Sequence, residues 1–148
     1  MSALPARFED VEVLEDFMTQ PSAALVADLA RVDGDLIILG VGGKMGPTLA
    51  RMAKRAMPGR RVVAVARFSD PSLRASLERH GVECIPCDLM DRAALQQLPG
   101  VAQGVRNCVF MAGHTFGASG NPSLTWMMNV GVPAHPPPQT GTRRRWRR

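Results

Sequence analysis

Hydrophobic positions along the chain fall into two alternating patterns. Leu36-Ile37-Ile38-Leu39 is an uninterrupted apolar run of the kind buried on both faces of a parallel sheet, and it predicts a first strand beginning at Asp35. Arg61 to Ala66, carrying Val62, Val63 and Val65, predicts a second strand, Val82 to Cys87 a third and Asn107 to Ala112 a fourth. Between them the spacing becomes helical. Leu49, Met52, Ala53 and Ala56 repeat at i, i+3, i+4, i+7 after Pro47, and Pro58-Gly59 stops that helix. Leu73 and Leu77 place another over Pro71 to His80, closed by Gly81, and Asp91 to Leu98 and Asn121 to Val130 read as two more. Strand and helix in strict alternation predict an α/β fold, a Rossmann-like, doubly wound parallel sheet truncated after about four strands.

The flanks depart from this rhythm. Phe8, Val11, Val13, Leu14, Phe17 and Met18 are interleaved with acids, compatible with a short amphipathic helix docking onto the body. Ser22 can cap a second helix carrying Leu25, Val26 and Leu29 that ends near Val32-Asp33-Gly34. After Pro133 the chain turns to Ala134-His135-Pro136-Pro137-Pro138 and then arginines, without periodicity, so this segment is expected to be a disordered tail outside any core. The expected organisation is therefore a helical extension over 1–34, an incomplete domain over 35–133 and a Pro/Arg-rich tail over 134–148. The break in composition near Pro133 has the look of an altered reading frame. A sheet ending at the fourth strand is also expected to leave an open apolar edge that allows self-association.

Composition sharpens this. The 148 residues are 45% hydrophobic and 21% charged, the proportions of one soluble globular domain. No apolar run reaches the roughly 18 residues of a membrane span, and the acidic stretch Glu9 to Asp16 is wrong for a secretory or transit signal. A cytoplasmic address is the expectation. The net charge of +5 belongs to the tail: residues 1–134 carry 13 Lys+Arg against all 13 acids, and the remaining five arginines are Arg143, Arg144, Arg145, Arg147 and Arg148. Those arginines with Trp146 offer a minor alternative, an anchor for nucleic acid. Cys84, Cys87 and Cys108 are odd in number and read as reduced, buried small side chains; Cys84-Ile85-Pro86-Cys87 lies in a predicted strand, whereas a redox pair wants a helix N-terminus, and no second ligand pair points to zinc.

The chemistry-bearing segment is Gly40-Val41-Gly42-Gly43-Lys44-Met45-Gly46, between a predicted strand and a predicted helix. In the spacing Gly40, Gly43, Gly46, the first glycine permits a tight turn off the strand and the second lets backbone approach a pyrophosphate. The third lets the helix pack close to the sheet with its N-terminal amides towards the anion, joined there by Lys44 and Met45. A Walker A loop does not fit, since Met45 stands where Ser or Thr is required after the lysine. A plain flexible turn is the alternative.

With Asp88-Leu89 after the third strand, Ala112-Gly113 closing the fourth and Asn129-Val130 in the following helix, the chain from about Asp35 to Pro133 resembles the extended short-chain dehydrogenase/reductases, also called NAD-dependent epimerase/dehydratases. The resemblance implies an NAD(P) site in which Gly40, Gly43 and Gly46 form the cofactor loop, Asp88 and Leu89 meet the adenine ring, and Ala112 and Gly113 lie under the cofactor. The residue ending the second strand selects the nucleotide: Arg67 favours the 2′-phosphate of NADP over NAD, the alternative being a solvated Arg67 with Asp70 taking the ribose. In that family a Tyr-x-x-x-Lys pair does the chemistry, and this chain contains no Tyr. Neither His114 nor Ser119, Ser123 or Thr125 has a context that would replace it. The expectation is a cofactor-binding domain of an epimerase/dehydratase-type oxidoreductase without its own catalysis, its small-molecule substrate unspecified. A non-catalytic dinucleotide sensor or interaction module is the alternative.

Overall fold

A computed structural model describes residues 5–101, 103–113 and 121–134. Two short helices, α1 (Val11–Met18) and α2 (Ala23–Ala30), precede the alternating body. That body runs β1 (Asp35–Leu39), α3 (Gly46–Ala56), β2 (Val62–Ala66), α4 (Pro71–Arg79), β3 (Glu83–Pro86), α5 (Arg92–Val101) and β4 (Val105–Phe110). A last helical stretch follows as α6 (Pro122–Trp126), a π-helical turn over Met127–Gly131 and α7 (Val132–Ala134). The tail beyond Ala134, with its arginines, and the segment holding His114 and Ser119 lie outside the described residues.

All strand pairs are parallel, in the order β3-β2-β1-β4. The apolar runs divide their side chains between two layers, as period-2 geometry requires. Ile38, Val62, Ala64 and Cys84 pack under α3 and α4 with Ala50, Ala53 and Leu77. Ile37, Leu39, Val63 and Val65 face the other way, onto Leu98 of α5 and onto Val132. The sheet is covered on both faces, the α/β arrangement that the alternation predicts. Because β2 and β3 build outward on one side of β1 while β4 crosses to the other, the β1–β4 boundary is a topological switch point, where open α/β sheets form a crevice at the carboxyl ends of their strands.

Several boundaries differ from expectation. The fourth strand begins at Val105, two residues early, because Asp35 pairs with Val105 and Leu36 with Asn107, leaving Arg106 as an irregularity in the register. α5 continues to Val101, three residues past the expected end, and the final helix is interrupted by the π-turn. Cys84 and Cys87 are buried as expected, but in opposite layers, and burial pushes the Cys84 thiol up to about 11. Cys108, also expected inside, is exposed, because β4 pairs with β1 and, among the described residues, with nothing beyond it. Among the described residues the β4 edge is therefore open, with Phe110 exposed along it.

The amino-terminal extension docks on α3. Glu15 pairs with the buried Arg51, and Asp16 pairs with Arg55, whose Nη1 also donates to the Asp16 carbonyl at 2.8 Å. Ser22 caps α2 as its position predicts, its hydroxyl accepting from the Leu25 amide at 3.1 Å. Among the described residues no helix is long and apolar enough to cross a membrane.

Candidate functional site

The loop from β1 to α3 is built by two glycines with structural duties. At Gly40 the chain turns off the strand with φ +86°, and a Cβ there would stand 2.4 Å from the Ala112 nitrogen. The Gly40 amide donates to the Val65 carbonyl at 2.8 Å, holding the turn over β2. Gly46 opens α3 against the fully buried Val41, where a Cβ would lie 2.1 Å from the Val41 carbonyl oxygen. Gly43 is different. A Cβ added there would meet nothing within 4 Å, so packing gives no reason for glycine at this position.

The loop forms one wall of a cleft of about 410 Å³ lying across the carboxyl ends of the strands. Gly40, Gly42 and Gly43 come from the end of β1, Ala66 to Asp70 from β2, Cys87 to Met90 from β3 and Met111 to Gly113 from β4, while Leu124 and Met128 reach over from the last helical stretch. Of the sequence-predicted residues, Gly40, Gly43, Arg67, Asp88, Leu89, Ala112 and Gly113 are therefore brought to one site. Three are not. Lys44 and Met45 project into solvent outside the lining, Met45 being 74% exposed, and Gly46 is buried against Val41; the loop shows its glycine backbone to the cleft and its long side chains to water.

Electrostatically the cleft is unbalanced. Arg67 is exposed, and its guanidinium has no hydrogen-bond or ion-pair partner among the described residues. The N-cap residue of α3, Met45, supplies no side-chain hydrogen bond, whereas Asp10, Ser22, Asp70 and Asn121 cap α1, α2, α4 and α6. No side chain therefore caps the first turn of α3, at the end of the helix where its dipole favours negative charge, and Pro47 there carries no amide. The carboxylates of the cleft are engaged locally. Asp70 accepts from the Ser72 amide at 2.8 Å, and its hydrogen bonding with Ser72 holds its carboxyl below the ordinary value. Asp88 accepts from the Met90 amide at 2.9 Å. Burial raises the Cys87 thiol, so it is a wall residue and no ready nucleophile. Among the described residues no group of His, Cys, Asp and Glu could hold a metal ion.

Sequence reasoning missed Phe68, Leu73, Met90, Met111, Leu124 and Met128 as lining residues: Leu73, Leu124 and Met128 sit on helices and Met111 at the end of the predicted fourth strand, and Phe68 and Met90 lie in loops without a motif. Phe68 has one unusual feature: φ is +49°, in the left-handed region.

An all-parallel sheet ordered β3-β2-β1-β4, helices on both faces and a cleft over the strand ends beside a glycine loop define an α/β protein of Rossmann-like architecture. Comparison with protein-family models and with curated proteins finds no match to this chain.

Proposed function

We propose that the cleft binds a dinucleotide, NADP in preference to NAD, and that the chain is the cofactor-binding domain of an oxidoreductase of the epimerase/dehydratase type. The observation that carries this reading is Gly43, a loop glycine that no packing contact requires, next to the N-terminus of an uncapped helix. A backbone left bare in this way fits a bulky anion lying against it. The cleft supplies an arm on each side of that point, one over β2 and β3 and one under Ala112 and Gly113, which suits a ligand of two parts joined by a pyrophosphate. Arg67, without a partner among the described residues, fits a phosphate on the ribose, and Asp70, engaged as the cap of α4, is less free to accept from a ribose hydroxyl.

When bound, the nicotinamide of such a cofactor supplies hydride transfer. The chain's own residues bind and orient it: Gly42 and Gly43 present the loop backbone, the Gly40 and Val41 amides being held by the Val65 carbonyl, Arg67 meets the ribose phosphate, and Ala112 and Gly113 leave room beneath the second half. The test is titration of the full chain with NADPH and NADH, read by fluorescence and by thermal shift, against Gly43→Asp as control. Saturable binding that the substitution removes without lowering the melting temperature is the expected result. A cooperatively melting wild-type protein that binds neither nucleotide overturns the reading.

A further inference from the structure

We propose that a second cavity, between the amino-terminal extension and α3, binds a free α-amino acid with an apolar side chain, its carboxylate held by Arg51 and its ammonium by Glu12. The site shares no lining residue with the dinucleotide cleft and does not depend on that reading.

The cavity, of about 510 Å³, is of the size that small-molecule sites have. It lies where α1 meets the body. α1 buries none of its own residues and is held to α3 by the pairs of Glu15 with Arg51 and Asp16 with Arg55. Arg51 is the unusual wall residue, 3% exposed and yet unsatisfied. Glu15 takes its Nη1, while its Nε is shut off from water and has no acceptor. Nη2 makes no hydrogen bond to the described residues either, so the Nε–Nη2 edge, which can grip a carboxylate through two parallel bonds, is unused. Buried donors are normally paired, and a carboxylate entering from the cavity supplies the missing acceptor. Because α1 buries none of its residues, it can yield to let a ligand oxygen reach that edge.

The other lining residues select the ligand. Arg7 and Arg51 bring positive charge and Glu9, Glu12 and Asp16 negative, with Asp16 already engaged by Arg55. A wall that carries both signs favours a zwitterion over a phosphate or a polyamine. Glu12 stands three residues before Glu15 on α1, so these two are neighbours on the helix surface and the exposed Glu12 carboxylate lies one turn from the Glu15–Arg51 pair. That spacing suits the adjacent charges of one amino acid. Phe8 and Phe17, their ring centroids 5.2 Å apart, give its side chain an apolar wall.

Calorimetric titration of the full chain with L-phenylalanine, 3-phenylpropionate and phenethylamine tests this, the second lacking the ammonium and the third the carboxylate. Phenylalanine is expected to bind saturably and each analogue at least about tenfold more weakly, having lost one charge-assisted contact. Glu12→Gln, a change at an exposed position, is expected to weaken phenylalanine about tenfold and to leave 3-phenylpropionate within about twofold. Arg51→Lys, which keeps the charge and loses the fork, is expected to weaken both by a like factor. No saturable binding of phenylalanine, equal binding of phenylalanine and either analogue, or unchanged phenylalanine affinity in either variant overturns the proposal. Should Arg51→Lys fail to fold, an arginine Nε–H proton of the wild type that moves downfield with phenylalanine and not with phenethylamine supports it, and the absence of such a shift overturns it.

Discussion

The two ends of the sheet are made from the same four strands and have opposite character. At the amino ends, polar groups satisfy one another. Arg61 forks onto Glu83 at 2.9 to 3.0 Å and donates to the Gln103 carbonyl at 2.8 Å, while its amide donates to Asp35 at 3.0 Å. The Asn107 side chain donates to the Asp33 carbonyl at 2.8 Å. At the carboxyl ends, Arg67 has no partner among the described residues, α3 has no side-chain cap, Gly43 faces open space and Phe68 sits at a positive φ. The groups without a protein partner at the carboxyl ends are solvent-exposed and line or adjoin the cleft, whereas those at the amino ends are tied into the fold.

That contrast can be broken by substitution. The largest effect is expected within the glycine loop itself: Gly46→Ala drives a methyl into the Val41 carbonyl and should cost about 3 kcal/mol or more in urea unfolding. Gly43→Asp, three residues away, should leave stability within about 0.5 kcal/mol while weakening NADPH at least about tenfold by placing a charge against the pyrophosphate. If both variants lose stability alike, the division of the loop into structural and ligand-facing glycines is wrong. Arg67→Ala should leave the melting temperature unchanged and lower the NADPH-to-NADH affinity ratio about tenfold, the worth of one charge-assisted contact. Its counterpart at the amino ends, Arg61→Ala, should do the reverse, costing about 1 kcal/mol because the pair with Glu83 is partly screened by solvent, with no change in nucleotide affinity. The smallest effect is electrostatic. Asp70 has a carboxyl held below its ordinary 3.8, so its contribution to stability is complete above that pH and is lost as the pH falls through the lower folded value. Urea melts between pH 7 and 2.5 should show this loss, and Asp70→Asn, which keeps a capping oxygen without the titration, should flatten the curve in that window.

The elements themselves were legible because their signals are local. Four apolar runs gave four strands, the 3.6-residue spacing of Leu49, Met52, Ala53 and Ala56 gave α3, and Ser22 gave the start of α2. The glycine loop was legible as a unit, but not the separate duties within it, since Gly40 is required by Ala112 and Gly46 by Val41 through contacts that only the folded chain makes. The early start of β4 was hidden for the same reason: it depends on how Val105 and Asn107 pair with residues seventy positions away. Met45 and Lys44 looked like ligand contacts by adjacency and are turned to solvent by the geometry of the loop, and Cys108 looked internal because β4 is apolar enough for a covered strand yet stands at the edge.

The amino-acid sequence by itself determined the α/β class, the parallel sheet and the placing of a glycine turn between β1 and α3, because side-chain periodicity and backbone freedom act over a few residues. Only the tertiary structure decided the strand order, which end of the sheet carries the cleft, and that Arg67, Phe68, Asp88, Gly113 and Met128 share it. A cleft over four strand ends is assembled by long-range pairing, and the groups that pairing leaves without a partner exist only once the rest have found theirs.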